Sequence, residues 1–176
     1  LAARGCAAPV VVSERNNPDL QPFGPVWIWL RRHLYPKAYG LVTMTEGALA
    51  YFPPAMRRHS WVIPNAVDLP RNWSNQRGGN VLTAVGRLTH QKGFDLLLEA
   101  FAKIEQSFPA WKLVIWGEGE DRAKLEEKRR ALGLEGRVML PGVTQKPVQW
   151  VETADVFVLS SRYEGWGIVL LEAMAA

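Results

Sequence analysis

From Val81 onward the chain alternates without a break between short apolar runs and segments of helical periodicity. Residues 81–86 (VLTAVG), 112–116 (KLVIW), 138–140 (VML) and 156–159 (VFVL) have the length and apolar content of buried strands. A loop and a helical segment follow each. After the first strand, Phe94, Leu97, Leu98, Phe101, Ile104 and Phe108 make an apolar stripe at helical spacing. Residues 120–132 form a charge-rich helix with Gly133 placed to end it in a left-handed conformation. Shorter helices are expected over 147–153 and from Gly167 onward. Four strands that alternate with helices specify an α/β fold, a doubly wound parallel sheet of Rossmann-like type.

Residues 1–63 carry a weaker version of the same texture. Strands are expected over 9–13, 41–45 and 61–63, and helices over 25–35 and 46–52, with Pro25 and Pro36 bracketing the first helix. This part reads as the C-terminal part of a second Rossmann-like domain. Between the two, residues 64–80 hold two Pro, two Gly and four Asn, and read as a linker. The expected organisation is therefore 1–63, a linker over 64–80, and a second domain over 81–176. The chain starts at Leu1 rather than Met and stops at Ala176 inside an apolar helical run, so it reads as a piece of a longer protein, truncated at both ends.

Composition excludes several classes. At 48% hydrophobic and 22% charged residues, the chain has the means to fold rather than stay disordered. Cys6 is the only cysteine, which rules out an internal disulfide and a cysteine-based zinc site and fits a reducing, cytoplasmic compartment. No apolar run has bilayer length. The net charge is +4, and residues 1–60 account for it with seven Lys/Arg against three acids, so the second domain is neutral. That distribution, with no binding motif, argues against nucleic acid as a partner. His33, His59 and His90 lack metal-ligand spacing.

In doubly wound sheets, ligands sit beyond the C-terminal ends of the strands. The loop after the first strand, Gly86 to Gly93, places Arg87 and Lys92 between two glycines and ahead of a helix N-terminus. Glycines allow close backbone approach, and cations beside a helix start suit a phosphate or diphosphate. A solvated loop with two surface charges fits the same residues. The loop Gly117-Glu118-Gly119-Glu120-Asp121-Arg122 begins like a dinucleotide fingerprint, but Arg122 stands where the third glycine belongs, which weakens a nicotinamide-dependent oxidoreductase reading. Its acids suit solvated helix-start positions better than a metal site. Residues 160–172 (SSRYEGWGIVLLE) place Glu164 in a loop and Glu172 inside the helix, roughly 8 Å along its axis if it starts near Gly167. Carboxylates at two depths can bind hydroxyls of two sugar rings. A loop acid and an ordinary helix glutamate would look the same, although Glu172 among apolar neighbours is costly to bury without a partner.

Taken together, Val85-Gly86-Arg87-Leu88, Lys92-Gly93-Phe94-Asp95, Gly117-Glu118-Gly119, Val138 to Gly142, Ala154 to Val158 and the Ser161 to Glu172 segment resemble the retaining glycosyltransferases of family 4. Ile63-Pro64-Asn65-Ala66-Val67-Asp68 resembles their interdomain linker. The resemblance runs from Val10 to Ala176 and implies the glycosyltransferase B-type fold of two Rossmann-like domains. By that resemblance residues 1–63 are acceptor-side and 81–176 donor-side. Arg87 and Lys92 hold the donor diphosphate. Glu172 binds the ribose. Glu164, Gly165, Trp166 and Gly167 meet the donor sugar, and Gly86 and Gly117 line the donor site. The reaction keeps the anomeric configuration and needs no cofactor and no metal. In place of the acceptor-side His frequent in the family, this chain has Ser13-Glu14-Arg15-Asn16, as in a bacterial subgroup that builds lipid-linked cell-envelope glycans; Glu14, Arg15 or Asn16 would face the cleft. The resemblance implies a nucleotide-sugar donor, UDP-linked, and a glycan or lipid-linked acceptor. A non-catalytic nucleotide-binding remnant is the alternative.

Trp27, Trp29, Arg31, Arg32 and Lys37 set aromatics beside cations, and residues 25–60 offer a peripheral contact with the anionic inner face of the cytoplasmic membrane. The competing expectation is that the tryptophans pack on the sheet. It is preferred for them, while the arginines stay open between water and membrane.

Overall fold

The computed structural model describes residues 5, 7–16, 18–21, 23–67, 78–144 and 149–175. Cys6, the centre of the expected linker and the start of the helix expected at 147 lie outside the described residues. The chain divides into two compact units: Leu1–Ala66 with Tyr163–Trp166, and Val67–Arg162 with Gly167–Ala176.

The first unit is a three-stranded parallel sheet. β1 (Val11–Glu14) pairs with β2 (Gly40–Thr43), and β2 with β3 (Ser60–Val62). α1 (Pro25–Leu34) and a 3-10 turn, Tyr35–Lys37, join β1 to β2, while α2 (Glu46–Ala50) and α3 (Pro54–Arg57) join β2 to β3. Pro25 opens α1, where its missing N–H costs nothing. Thr45 caps α2 by accepting the Ala48 N–H at 3.1 Å. Pro53-Pro54 ends α2 and starts α3, a turn that the apolar pattern does not signal. Leu41, Met44 and Phe52 are the buried apolar residues here.

One expectation for this unit is overturned. Trp27 and Trp29 do not pack on the sheet; they are 66% and 58% exposed. The inward face of α1 is taken by Arg31, whose guanidinium lies 3.1 Å from the buried carboxylate of Glu14 and 4.2 Å from the centre of the Phe23 ring. Trp29 stacks instead on His33, one turn on in the same helix, with ring centres 4.5 Å apart.

The second unit is a four-stranded parallel sheet. β4 (Val81–Val85), β5 (Lys112–Trp116), β6 (Val138–Gly142) and β7 (Val156–Phe157) lie in the order β6-β5-β4-β7. α4 (Phe94–Ile104), α5 (Arg122–Ala131) and α6 (Gln149–Glu152) are the crossovers, and α7 (Ile168–Ala175) follows β7. Leu113 and Ile115 on β5 are fully buried against Ala84, Leu98 and Leu125, each large side chain contributing about 1.5–3 kcal/mol. β6 lies at an edge, where the Pro141 N–H is not missed and a register shift against β5 is tolerated. Gly133 ends α5 at φ +68°, with Leu134 N–H returning to the Arg129 carbonyl.

The parallel Rossmann-like class expected from the alternation is the observed one. Two details differ. β7 spans two residues rather than four, and the α4 stripe buries Phe94, Leu97, Leu98 and Phe101 but leaves Ile104 and Phe108 exposed. The helix ends at Ile104, so Phe108 falls in the turn beyond it and off the buried face.

Candidate functional site

The strand order decides where the site lies. Strands β4, β5 and β6 advance in one direction, then the chain returns to set β7 on the other side of β4. Such a reversal opens a crevice between neighbouring crossovers, at the C-terminal ends of the strands flanking it. Here those strands are β4 and β7. The loop leaving β4 carries Arg87 and Lys92, and the segment leaving β7 leads through Arg162 to Gly167 and α7.

The β4 loop is closely packed against its neighbours. Gly86 N–H bonds the Trp116 carbonyl at 3.0 Å, and a Cβ on Gly117 would stand 1.9 Å from the Gly86 carbonyl oxygen. Gly117, at φ +138°, also has a backbone shape that side chains disfavour. The Lys92 side chain runs over Gly86, its Cδ and Cε 3.1 Å from where a Cβ would be. Glycine at 86 therefore lets the stem of Lys92 lie flat across the end of β4. Arg87 is exposed and makes no ion pair among the described residues. A cavity of about 210 Å³ lies at the exits of β4 and β5, bounded by Gly86, Arg87, Trp116, Gly117, Glu118 and Thr144. The buried Trp116 Nε1–H beside it has no hydrogen-bond partner among the described residues.

The N-terminus of α4 carries an anion of its own. The Asp95 carboxylate accepts from its own N–H and from that of Leu96, and Arg162 grips the same carboxylate with two bonds of 2.8 and 2.7 Å. The Arg162 bonds, working against partial burial, hold the Asp95 carboxyl down at about 2. An internal anion thus sits at the helix end that the sequence offers to phosphate, beside the cationic side chains that precede it.

On α7, Glu172 is half-buried and makes no hydrogen bond or ion pair among the described residues; burial pushes its carboxyl above the ordinary range. Gly167, at φ +58°, precedes the helix and its carbonyl accepts the Leu170 N–H.

The other residues named from the sequence fall in the first unit. Glu14 is buried against Arg31 rather than open. Arg15 donates to the Asn65 side chain. Gly165 rests on the backbone of Arg15 and Asn16, where a Cβ would come 2.3 Å from the Arg15 carbonyl oxygen. Trp166 Nε1–H donates to the Asn65 carbonyl at 3.2 Å. Glu164 is half-buried.

The Gly117–Arg122 loop is spent on structure. Arg122, in the third-glycine position, bonds Glu118 at 2.5 Å and the Leu140 carbonyl at 2.8 Å, while Asp121 pairs with Lys124. A Cβ on Gly119 would strike the Leu88 backbone at 2.4 Å. Sequence reading missed Asp95, Ser160 and Arg162. An acid in a first helical turn is a local signal, but its partner lies 67 positions away and is found only through the strand order.

A parallel sheet with an order reversal and glycine-lined strand exits defines an α/β domain of the doubly wound, Rossmann-like class. Its family follows from comparison: residues 68–176 match the family described as glycosyl transferases group 1, and the chain belongs to that family. It is 36% identical over 133 residues to an uncharacterized glycosyltransferase of Methanocaldococcus jannaschii, covering 69% of this chain and 33% of that one. It is 27% identical over 177 residues to a Campylobacter jejuni α-1,4-N-acetyl-D-galactosaminyltransferase acting on a GalNAc-containing diphospho-undecaprenol glycan, covering 97% of this chain and 47% of that one. The chain thus spans a third to a half of these relatives. The structure matches that of Anabaena HepE in complex with UDP and glucose with a TM-score of 0.85 at 20% identity, over 98% of this chain and 52% of that one, which shows the glycosyltransferase B-type fold. Among the described residues no three His, Cys, Asp or Glu side chains cluster as metal ligands, and no helix is long and apolar enough to cross a membrane.

Proposed function

We propose that this chain is part of a retaining, family 4 glycosyltransferase that takes its sugar from a UDP-linked donor. One observation carries the reading: Arg87 leaves β4 into a cavity that Gly86 and Gly117 help to line, and the stem of Lys92 lies across Gly86 at its edge. In this reading residues 81–176 are the donor side. Lys92 and Arg87 bind the donor diphosphate. When the bond between the anomeric carbon and the phosphate oxygen breaks, they meet the charge that develops on the leaving group, the interaction expected to contribute most to such a step. That charge stabilisation comes from side chains, and the reading requires no metal or cofactor. The cavity edge at Trp116 and Thr144 takes the base. Glu172, half-buried and unpartnered among the described residues, gains its missing hydrogen bonds from the ribose hydroxyls. Glu164, with Gly165, Trp166 and Gly167, takes the donor sugar.

Residues 1–63 are the acceptor side. Arg15 and Asn16 meet the acceptor there, and Glu14 orients the loop through Arg31. A lipid-linked glycan acceptor is supported by the Campylobacter relative. In this reading the enzyme works in bacterial envelope polysaccharide synthesis, at the cytoplasmic face of the membrane. The exposed Trp27 and Trp29 on α1 support a peripheral contact there through residues 25–60.

The test is donor binding and transfer by the full-length protein with UDP-glucose, UDP-GlcNAc and UDP-GalNAc. Glu172→Ala and Lys92→Met are each expected to weaken UDP binding by about tenfold or more, the loss expected for one charged hydrogen bond. Unchanged UDP affinity in both variants, or no transfer from any nucleotide-sugar by the wild type, refutes the assignment.

A further inference from the structure

The turn that carries Lys92 is held from outside itself. Three consecutive carbonyls of that turn are bound by the segment leaving β7. His90 O accepts from Arg162 Nη1 at 2.8 Å, Gln91 O from the Arg162 backbone N–H at 2.8 Å, and Lys92 O from Ser160 Oγ at 2.9 Å. The same guanidinium takes both oxygens of Asp95. Gly93 completes the contact. It sits at φ +64°, and a Cβ there would lie 2.2 Å from the Ser160 carbonyl oxygen. The two strands flanking the order reversal therefore send out loops that are bonded to each other residue by residue.

This is more than a surface ion pair. Exposed pairs contribute little to stability, and one would not need the backbone on both sides fixed as well. Arg162 does two things at once. It turns the carbonyls of residues 90 and 91 toward itself, which leaves the opposite side of the turn to the Lys92 side chain and the Gly86 backbone. It also binds both oxygens of the Asp95 carboxylate, which ties the turn to the first turn of α4. A lysine could not replace it, because a single ammonium cannot hold a carboxylate in a two-point grip and a carbonyl together.

We propose that Arg162, anchored on Asp95, is a positioning residue for the diphosphate-binding loop, fixing the turn from which Lys92 reaches the donor. This inference rests on the reading of that loop given above. Arg162 touches no part of the ligand in this scheme and acts only through the turn.

The experiment compares UDP with uridine, which lacks the phosphates. Affinities of the full-length protein are measured by calorimetry, uridine by displacement, with thermal melts alongside. Arg162→Met is expected to weaken UDP binding about tenfold and to leave uridine binding within twofold. Combined with Lys92→Met it is expected to add little to the loss from Lys92→Met alone, since both act on one interaction. Asp95→Asn keeps the shape of the side chain and removes its charge; it is expected to shift UDP the same way, and carries the test if Arg162→Met does not fold. A fall in melting temperature with the UDP-to-uridine ratio unchanged overturns the inference, as does an equal loss for both ligands. If Lys92→Met costs UDP affinity and the Arg162 and Asp95 variants do not, the diphosphate reading stands and this inference falls. If Lys92→Met costs nothing, both fall.

Discussion

Glu172 is a residue whose cost to the fold points to a use. It sits half-buried on α7 with no partner among the described residues, and burial raises its pKa. A carboxyl raised in the folded state binds its proton more tightly there than in the unfolded chain. It therefore destabilises the fold above its folded pKa, and the cost fades as pH falls through that value toward the unfolded one. Glu172→Gln removes the charge and keeps the shape. It is expected to melt slightly higher than wild type at pH 7, by less than about 1 kcal/mol because solvent screens a half-exposed carboxylate, with the gap closing near pH 4. Thermal melts from pH 4 to 8 measure this; a lower melting point at pH 7 would mean that the carboxylate has a partner that stabilises it. At this scale the sequence was informative about residue type only. Glu172 and Lys92 stand out because charged groups beside glycines or among apolar residues need a reason. Glu14 stood out too, yet its buried pairing with Arg31 across 17 positions is a matter of packing that no local pattern carries.

Elements are legible where their signal is local. Period and apolar content locate β4, β5, α5 and the start of α4 to within about two residues, because each buries one face and the spacing of that face is set by backbone geometry alone. Ends are less legible, as α4 shows. Its apolar stripe continues to Phe108, but the helix stops at Ile104. Beyond Ile104 the chain makes a turn gathered by Arg137, just before β6: its guanidinium reaches Glu105 at 3.1 Å, the Phe108 carbonyl at 2.8 Å and the Trp111 carbonyl at 2.6 Å. One arginine thereby binds two carbonyls of the turn that follows the helix. Arg137→Met keeps most of the apolar stem and strips those bonds. It is expected to destabilise the second unit by about 2 kcal/mol, more than Arg130→Met on the exposed face of α5, by urea unfolding. Equal costs for the two variants would show that the turn holds without Arg137. No helix-end rule would have found it, since the capping group comes from 26 to 32 residues away.

The whole molecule holds two sheets of unequal strength, and the difference is measurable. In the second unit β5 is central, its Leu113 and Ile115 wholly buried, and one continuous core joins β4, β5, β6, α4 and α5. In the first unit, β1 ends its sheet with Val11 half-exposed, α1 buries no residue, and the buried apolar side chains are Leu41, Met44 and Phe52. Opening free energy follows buried apolar contact and protected backbone bonding, so the two sheets should open separately in cost. Hydrogen exchange of the 176-residue chain, followed by mass spectrometry, is expected to give the slowest amides in residues 113–115, with 82–85 next. Residues 11–14 and 60–62 should exchange at least about a hundredfold faster, which corresponds to an opening free energy lower by about 3 kcal/mol. Equal protection of the two sheets would mean that the first unit gains stability from more than its own core. The unequal result would instead fit the chemistry proposed for each side. The cations that bind the diphosphate need a rigid frame, since a displacement on the order of 1 Å costs a large part of the catalytic effect.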